Sequence, residues 1–95
     1  MKQPCVYILS SRWQGTLYTG VTSDLIRRAW QHREDLVEGF SRRHRVHCLV
    51  WYEMHESMMS AITRGKAIKE WKRAWKIELI EKANPLWRDR YPELL

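Results

Sequence analysis

The sequence predicts an α/β protein of the α+β kind, a small three-stranded antiparallel sheet flanked by helices in the order β-β-α-β-α-α. Three observations predict it. Two short runs rich in aromatic and β-branched residues, CVYILS at 5–10 and TLYTGV at 16–21, stand either side of a glycine-containing turn. An amphipathic stretch follows at 22–35, and a third strand-like run, VHCLVWYE at 46–53, precedes a long helical pattern over 56–83. Hairpin strands first, with one strand added after a helix, argue for an antiparallel sheet with helices packed on it.

Each element has its own local signal. In SRWQG at 11–15, Gly15 suits the hairpin turn. In 22–35, Thr22, Ser23 and Asp24 are candidate N-caps, and Leu25, Ile26, Ala29 and Trp30 gather on one side at about 100° per residue. EGFSRRHR at 38–45 combines glycine, serine and clustered positive charge and reads as a basic loop. The pattern over 56–83 is longer than a typical globular helix, so a break at 71–74 should divide it in two. Asn84-Pro85 stops the second helix, and NPLWRDRYPELL ends the chain. The chain shows no internal repeat and no low-complexity segment.

Ninety-five residues make one domain, 1–95, near the lower size limit for a core without staples. A 44% hydrophobic fraction with six Trp and four Tyr can supply that core, and most of the tryptophans are expected inside it. Seventeen Lys and Arg against eleven Asp and Glu give +6, the balance of proteins that meet phosphate backbones or anionic surfaces. MKQPCVYILSSRW has no run long enough for a signal peptide and no stretch approaches membrane-spanning length, so a cytoplasmic protein with no membrane partner is expected. Cys5 and Cys48 are far apart in sequence and read as reduced thiols. His44, His47 and Cys48 lack a second ligand pair at zinc-finger spacing and read as a loop leading into a strand.

Four residues bear chemistry at suggestive places. Tyr7 and Tyr18 sit one on each hairpin strand, while Arg28 and His32 lie one turn apart on the first helix, at the edge of its apolar face. Tyrosine, arginine and histidine can together move a proton and hold a phosphate, although each is also common in strands and helices.

The segments VYI at 6–8, YTG at 18–20, LIRRAWQH at 25–32, LVWYE at 49–53, IKEWKRAWKIELI at 68–80 and NPLW at 84–87 together resemble the GIY-YIG nuclease superfamily, in particular its small stand-alone bacterial proteins. The resemblance spans nearly the whole chain. It implies phosphodiester cleavage with one divalent metal ion, usually magnesium. It also implies that Tyr7 and Tyr18 are the motif tyrosines, Arg28 the helix arginine, His32 the histidine after it, and Asn84 the asparagine near the end of the domain. Arg28 would then stabilise charge on the phosphate and help to lower a tyrosine's pKa, with His32 as a second phosphate or proton-handling group. Either tyrosine could handle the water. Two departures are mild: Cys5-Val6 replaces Gly-Ile, and His44 stands where the small relatives carry an aromatic, usually tyrosine.

The family's metal ligand is a glutamate in a segment resembling A-x-x-R-E-x-x-I-K, which here reads AITRGKAIK, so Gly65 occupies the ligand's position. Losing a carboxylate matters because magnesium is often held by only one or two of them. Glu70 and Glu53 are poorly placed to replace it, and Lys66 and Lys69 flank the gap with the wrong charge. Close packing against the sheet, natural loss of the ligand and an introduced change each explain the glycine. A glutamate put back there should leave the helix intact or slightly more stable, because Glu is the better helix former.

The function expected is therefore that of a nucleic-acid-binding endonuclease impaired at its metal ligand, with DNA ahead of RNA as substrate. A non-catalytic nucleic-acid-binding module, or an adaptor for an acidic protein, fits the same charge. The candidate phosphate-tracking surface is Arg27, Arg42, Arg43, Arg45, Arg64, Lys66, Lys69, Lys72 and Arg73, with Trp13 or Trp87 for base stacking.

Overall fold

The computed structural model describes residues 2–37 and 39–95. Its elements run β1 (Cys5–Ser10), β2 (Leu17–Thr22), α1 (Leu25–Arg33), α2 (Phe40–His44), β3 (Cys48–Met54), α3 (Met58–Glu70), α4 (Arg73–Ala83) and a closing 3-10 turn over Tyr91–Leu94. β1 lies in the middle of the sheet and pairs antiparallel with both β2 and β3, giving the order β2-β1-β3. Every residue of β1 is buried, which is why CVYIL reads as a continuous apolar run rather than an alternating one.

Alternation along β1 splits the core into two layers. Val6 and Ile8 face Val50, Trp51, Ala61, Ile68, Ile80 and Trp87, beneath α3 and α4. Cys5, Tyr7 and Leu9 face the other way, toward Leu25 of α1, Val46 and Leu49. The register shifts between Ile8, paired with Trp51, and Leu9, paired with Leu49. Val50 is thus the extra residue of a bulge, and it joins Trp51 in the α3–α4 layer.

The sequence expectations are corrected in four places. The predicted basic loop holds the short helix α2, so Arg42, Arg43 and His44 are helical; Glu38, at the start of that predicted loop, lies outside the described residues. α1 begins at Leu25 behind Asp24, whose carboxylate accepts the Arg27 N–H, and it ends at Arg33 rather than at 35. Trp30, assigned to the apolar side, is 46% exposed, and His32 turns inward instead. Three of the six tryptophans, Trp13, Trp30 and Trp75, are exposed, whereas Trp51 and Trp87 are buried.

The break in the long helix falls where expected: Trp71 and Lys72 are both extended between α3 and α4. The C-terminal tail then covers β3. Arg90 N–H donates to Leu49 O at 2.7 Å, and Asp89 accepts the Leu49 N–H and pairs with Arg33. These bonds satisfy the outward N–H and C=O of Leu49, near the start of the β3 edge. Among the described residues, no helix is long and apolar enough to cross a membrane.

Gly65 belongs to the buried stripe of α3 with Ala61 and Ile68, at spacings of four and three. A Cβ placed on it would lie 2.5 Å from Val21 Cγ2 of β2, well inside the normal carbon–carbon separation of about 3.5–4 Å. The helix-propensity argument that favoured a larger residue therefore does not decide the position, because close approach of α3 to β2 does. Gly65→Ala should destabilise the protein by about 1–3 kcal/mol through overpacking, despite a propensity gain of about 1 kcal/mol. In a Val21→Ala background the same change should be neutral or stabilising. Denaturation of the four proteins of that cycle measures the coupling, and a Gly65→Ala protein more stable than wild type would show that α3 does not sit this close.

Candidate active site

The hairpin register sets the geometry of the cluster. Tyr7 pairs with Gly20 across β1 and β2, and Leu9 with Tyr18, so both tyrosines project to the α1 side of the sheet. A Cβ at Gly20 would fall 2.4 Å from both Cζ and the hydroxyl oxygen of Tyr7. The glycine is therefore the floor on which the Tyr7 ring lies. From above, α1 lowers His32 onto the same spot. The Tyr7 hydroxyl and His32 Nε2 share a buried hydrogen bond of 3.1 Å. Ring centroids are 6.3 Å apart for Tyr7 and Tyr18, 5.8 Å for Tyr7 and His32, and 5.3 Å for Tyr18 and His32. All three pairs are tilted, so the rings form a compact triangle.

Burial controls the protonation of this triangle. It raises the Tyr7 phenol well above its ordinary range, with Tyr18 adding to the rise and the Arg28 charge opposing it. It lowers His32 to about 4, helped by the positive charge of Arg28 and by His47. At neutral pH both partners of the bond are uncharged. His32 thus brings no positive charge to a phosphate at neutral pH, which leaves Arg28 as the cation beside the cluster. Arg28 is half-buried and also lines a polar hollow of about 330 Å³ with Lys2, Arg27, Gln31 and the Thr22–Ser23–Asp24 turn.

Other candidates stand apart from the triangle. Gly65 presses on the α3 side of β2, the opposite face from the tyrosines. β2 is an edge strand, so a carboxylate at 65 would have to displace Val21 and reach round that edge. Asn84 caps α4, where its amide donates to Val50 O and Arg88 O and its oxygen accepts the Arg88 N–H. That fully bonded amide ties the tail to β3. Arg64 pairs with Glu53, and Arg73 donates to Gln14 O and Gly15 O, pinning the hairpin turn. Arg27, Arg42, Arg43, Arg45, Lys66, Lys69 and Lys72 are exposed. Trp87 is buried and donates its indole N–H to Glu81, so it cannot offer a ring face to a base.

The residues present do not fit the divalent ion that the resemblance implies. Glu53 already bonds His55 and Arg64, Asp24 caps α1, and position 65 has no side chain. Among the described residues, no group of three His, Cys, Asp or Glu side chains gathers as a metal site. The sequence reading missed two contributors, Gly20 and Lys2. Gly20 was legible, since a turn centred on 13–14 places it opposite Tyr7; Lys2 reaches the hollow only through tertiary folding.

A group held neutral below its ordinary pKa supports the fold above that ordinary value and loses the support as pH falls toward the depressed one. His32 should therefore make wild type lose stability relative to His32→Gln between pH about 6.5 and about 4, at up to about 1.4 kcal/mol per unit. Denaturant titrations of both proteins across that range check this, and parallel curves would show that His32 is not held neutral.

The description of the GIY-YIG catalytic domain matches residues 3–78, from the approach to β1 into α4. Neither a curated protein nor a solved structure matches the chain significantly. The match covers most of the chain, and the three-stranded sheet with its helices agrees with the fold that the motifs imply. The chain belongs to the GIY-YIG nuclease family.

Proposed function

We propose that this chain binds nucleic acid through the Arg28 side of the Tyr7–Tyr18–His32 triangle, as an endonuclease-type domain whose metal-dependent cleavage is impaired at position 65. The observation that carries the reading is a contrast within the site. The triangle and its arginine are assembled on one face of the sheet, while the position aligned with the metal-binding glutamate is a glycine packed on Val21.

Each residue has a physical role in this reading. Arg28 offers a planar fork to phosphate oxygens, and Arg27 and Lys2 extend the positive lining along the same hollow. Tyr7 is too deeply buried to ionise on its own, so it acts with its partner. In the tautomer that protonates Nδ1, the Tyr7 O–H donates to His32 Nε2. Buried and neutral, the Tyr7–His32 pair is suited to holding and orienting a proton beside the arginine rather than to carrying a charge. Tyr18, half-exposed beside both rings, completes the triangle and forms its more accessible corner. A divalent ion would supply charge neutralisation at the leaving oxygen, and among the described residues no group of three His, Cys, Asp or Glu side chains gathers to hold one.

Binding and cleavage separate in the test. Affinity for a DNA and RNA panel should fall with salt, at a log–log slope of about −0.7 to −0.9 per phosphate contact, and Arg28→Ala should weaken it about tenfold or more. Wild type should cut nothing with magnesium, manganese or chelator. Gly65→Glu combined with Val21→Ala, which makes room for the new side chain, should gain magnesium-dependent cleavage. Salt-independent or absent binding would overturn the nucleic-acid reading and favour an adaptor. Magnesium-dependent cleavage by wild type would overturn the impairment.

A further inference from the structure

The break between α3 and α4 creates a surface that neither the fold nor the triangle explains. Because Trp71 and Lys72 are extended, the chain turns there and brings Trp71 against Trp75 of the next helix. The two indoles meet nearly edge to face, with centroids 6.3 Å apart at 80°. Together with Leu79 they line a groove of about 360 Å³. Trp71 packs partly on the α3–α4 core, but Trp75 is 51% exposed, a large apolar area left in water.

The groove carries positive charge at its rim. The Arg64 guanidinium lies 5.3 Å from the Trp71 ring centroid and the Lys72 ammonium 5.6 Å from that of Trp75, while Lys82 lines the far side. Arg64 is held by Glu53, so Lys72 and Lys82 are the rim cations that, with the aromatic floor, match an unpaired base and its flanking phosphates. Glu78, the acid in the lining, gives an acceptor for a base's exocyclic amino group. Two tryptophans and a leucine form a small patch beside the roughly 800 Å² per partner of a stable protein interface, whereas one stacked base needs only one ring.

We propose that Trp75, backed by Trp71, is a stacking platform for an unpaired nucleobase, so that the protein prefers nucleic acid with a single-stranded segment to intact duplex. The proposal rests on the nucleic-acid reading above but not on cleavage. The platform lies on the α3–α4 side of the sheet, away from the tyrosines, so it adds affinity for a particular strand structure without touching the reacting phosphate.

The test uses the full chain with a labelled single-stranded oligonucleotide and a duplex of the same sequence, read by fluorescence anisotropy. Trp75→Ala should weaken single-strand binding by about 5- to 150-fold, the range for one lost stacked base. Duplex affinity should change less than about twofold and the salt slope should stay the same, because no phosphate contact is removed. Trp75→Phe should recover much of the loss, and the melting temperature of each variant should stay close to that of wild type since the side chain is half in solvent. An equal loss on both substrates, or none on the single strand, overturns the platform alone. A wild type that binds neither substrate overturns the platform and the nucleic-acid reading together. If wild type sediments as a dimer that Trp75→Ala dissociates, with single-strand affinity unchanged, the groove is an interface between copies and the proposal fails.

Discussion

The contact between the Tyr7 ring and the backbone of Gly20 is the constraint on which the site depends. Tyr7 is 2% exposed and sits on the central strand, so its position is set by core packing as firmly as that of Leu9. The missing Cβ at Gly20 lets the ring lie flat toward β2, and α1 then closes over it with His32. A side chain that packs the core and also carries a polar hydroxyl is already held in one place by that packing. The same burial keeps both partners of the Tyr7–His32 bond neutral, so neither brings a charge to the site at neutral pH.

Gly65 shows how one position can answer to packing and chemistry at once. On the α3 side of β2 it permits an approach in which an added Cβ would meet the Val21 methyl at 2.5 Å, so a side chain there needs Val21 to give way. The residue that seats α3 closely is also the one that the resemblance matches to the family's metal-binding glutamate. Putting the carboxylate back is therefore a two-residue problem, which a reading of position 65 by helix propensity alone does not reveal.

Much of this was legible in the sequence where local pattern decides the outcome. The hairpin, the first helix with its Asp24 cap, the third strand and the break at Trp71 follow from alternation, capping chemistry and length, and the structure has them all. Patterns that tertiary contact overrides were not legible. His32 turns inward where it bonds the Tyr7 hydroxyl, while Trp30 is left 46% exposed. Residues 40–44 coil into a helix despite their turn-like composition. The roles of Arg64, Arg73 and Asn84 were obscured for one shared reason: each bonds a partner between 11 and 59 positions away, and no local pattern announces such a bond.

In the function proposed for this chain, nucleic acid binds on the Arg28 side of the triangle and no divalent ion is held beside it. Paramagnetic relaxation by manganese tests it most directly, through proton–nitrogen spectra of the wild-type protein recorded with and without an excess of oligonucleotide. Shifts on nucleic acid are expected at Arg27, Arg28, Gln31 and the residues around them, with no selective manganese broadening of Tyr7, Tyr18, Arg28 or His32. Selective broadening of those four at low manganese would contradict it, by showing that the triangle holds a divalent ion without a glutamate at position 65.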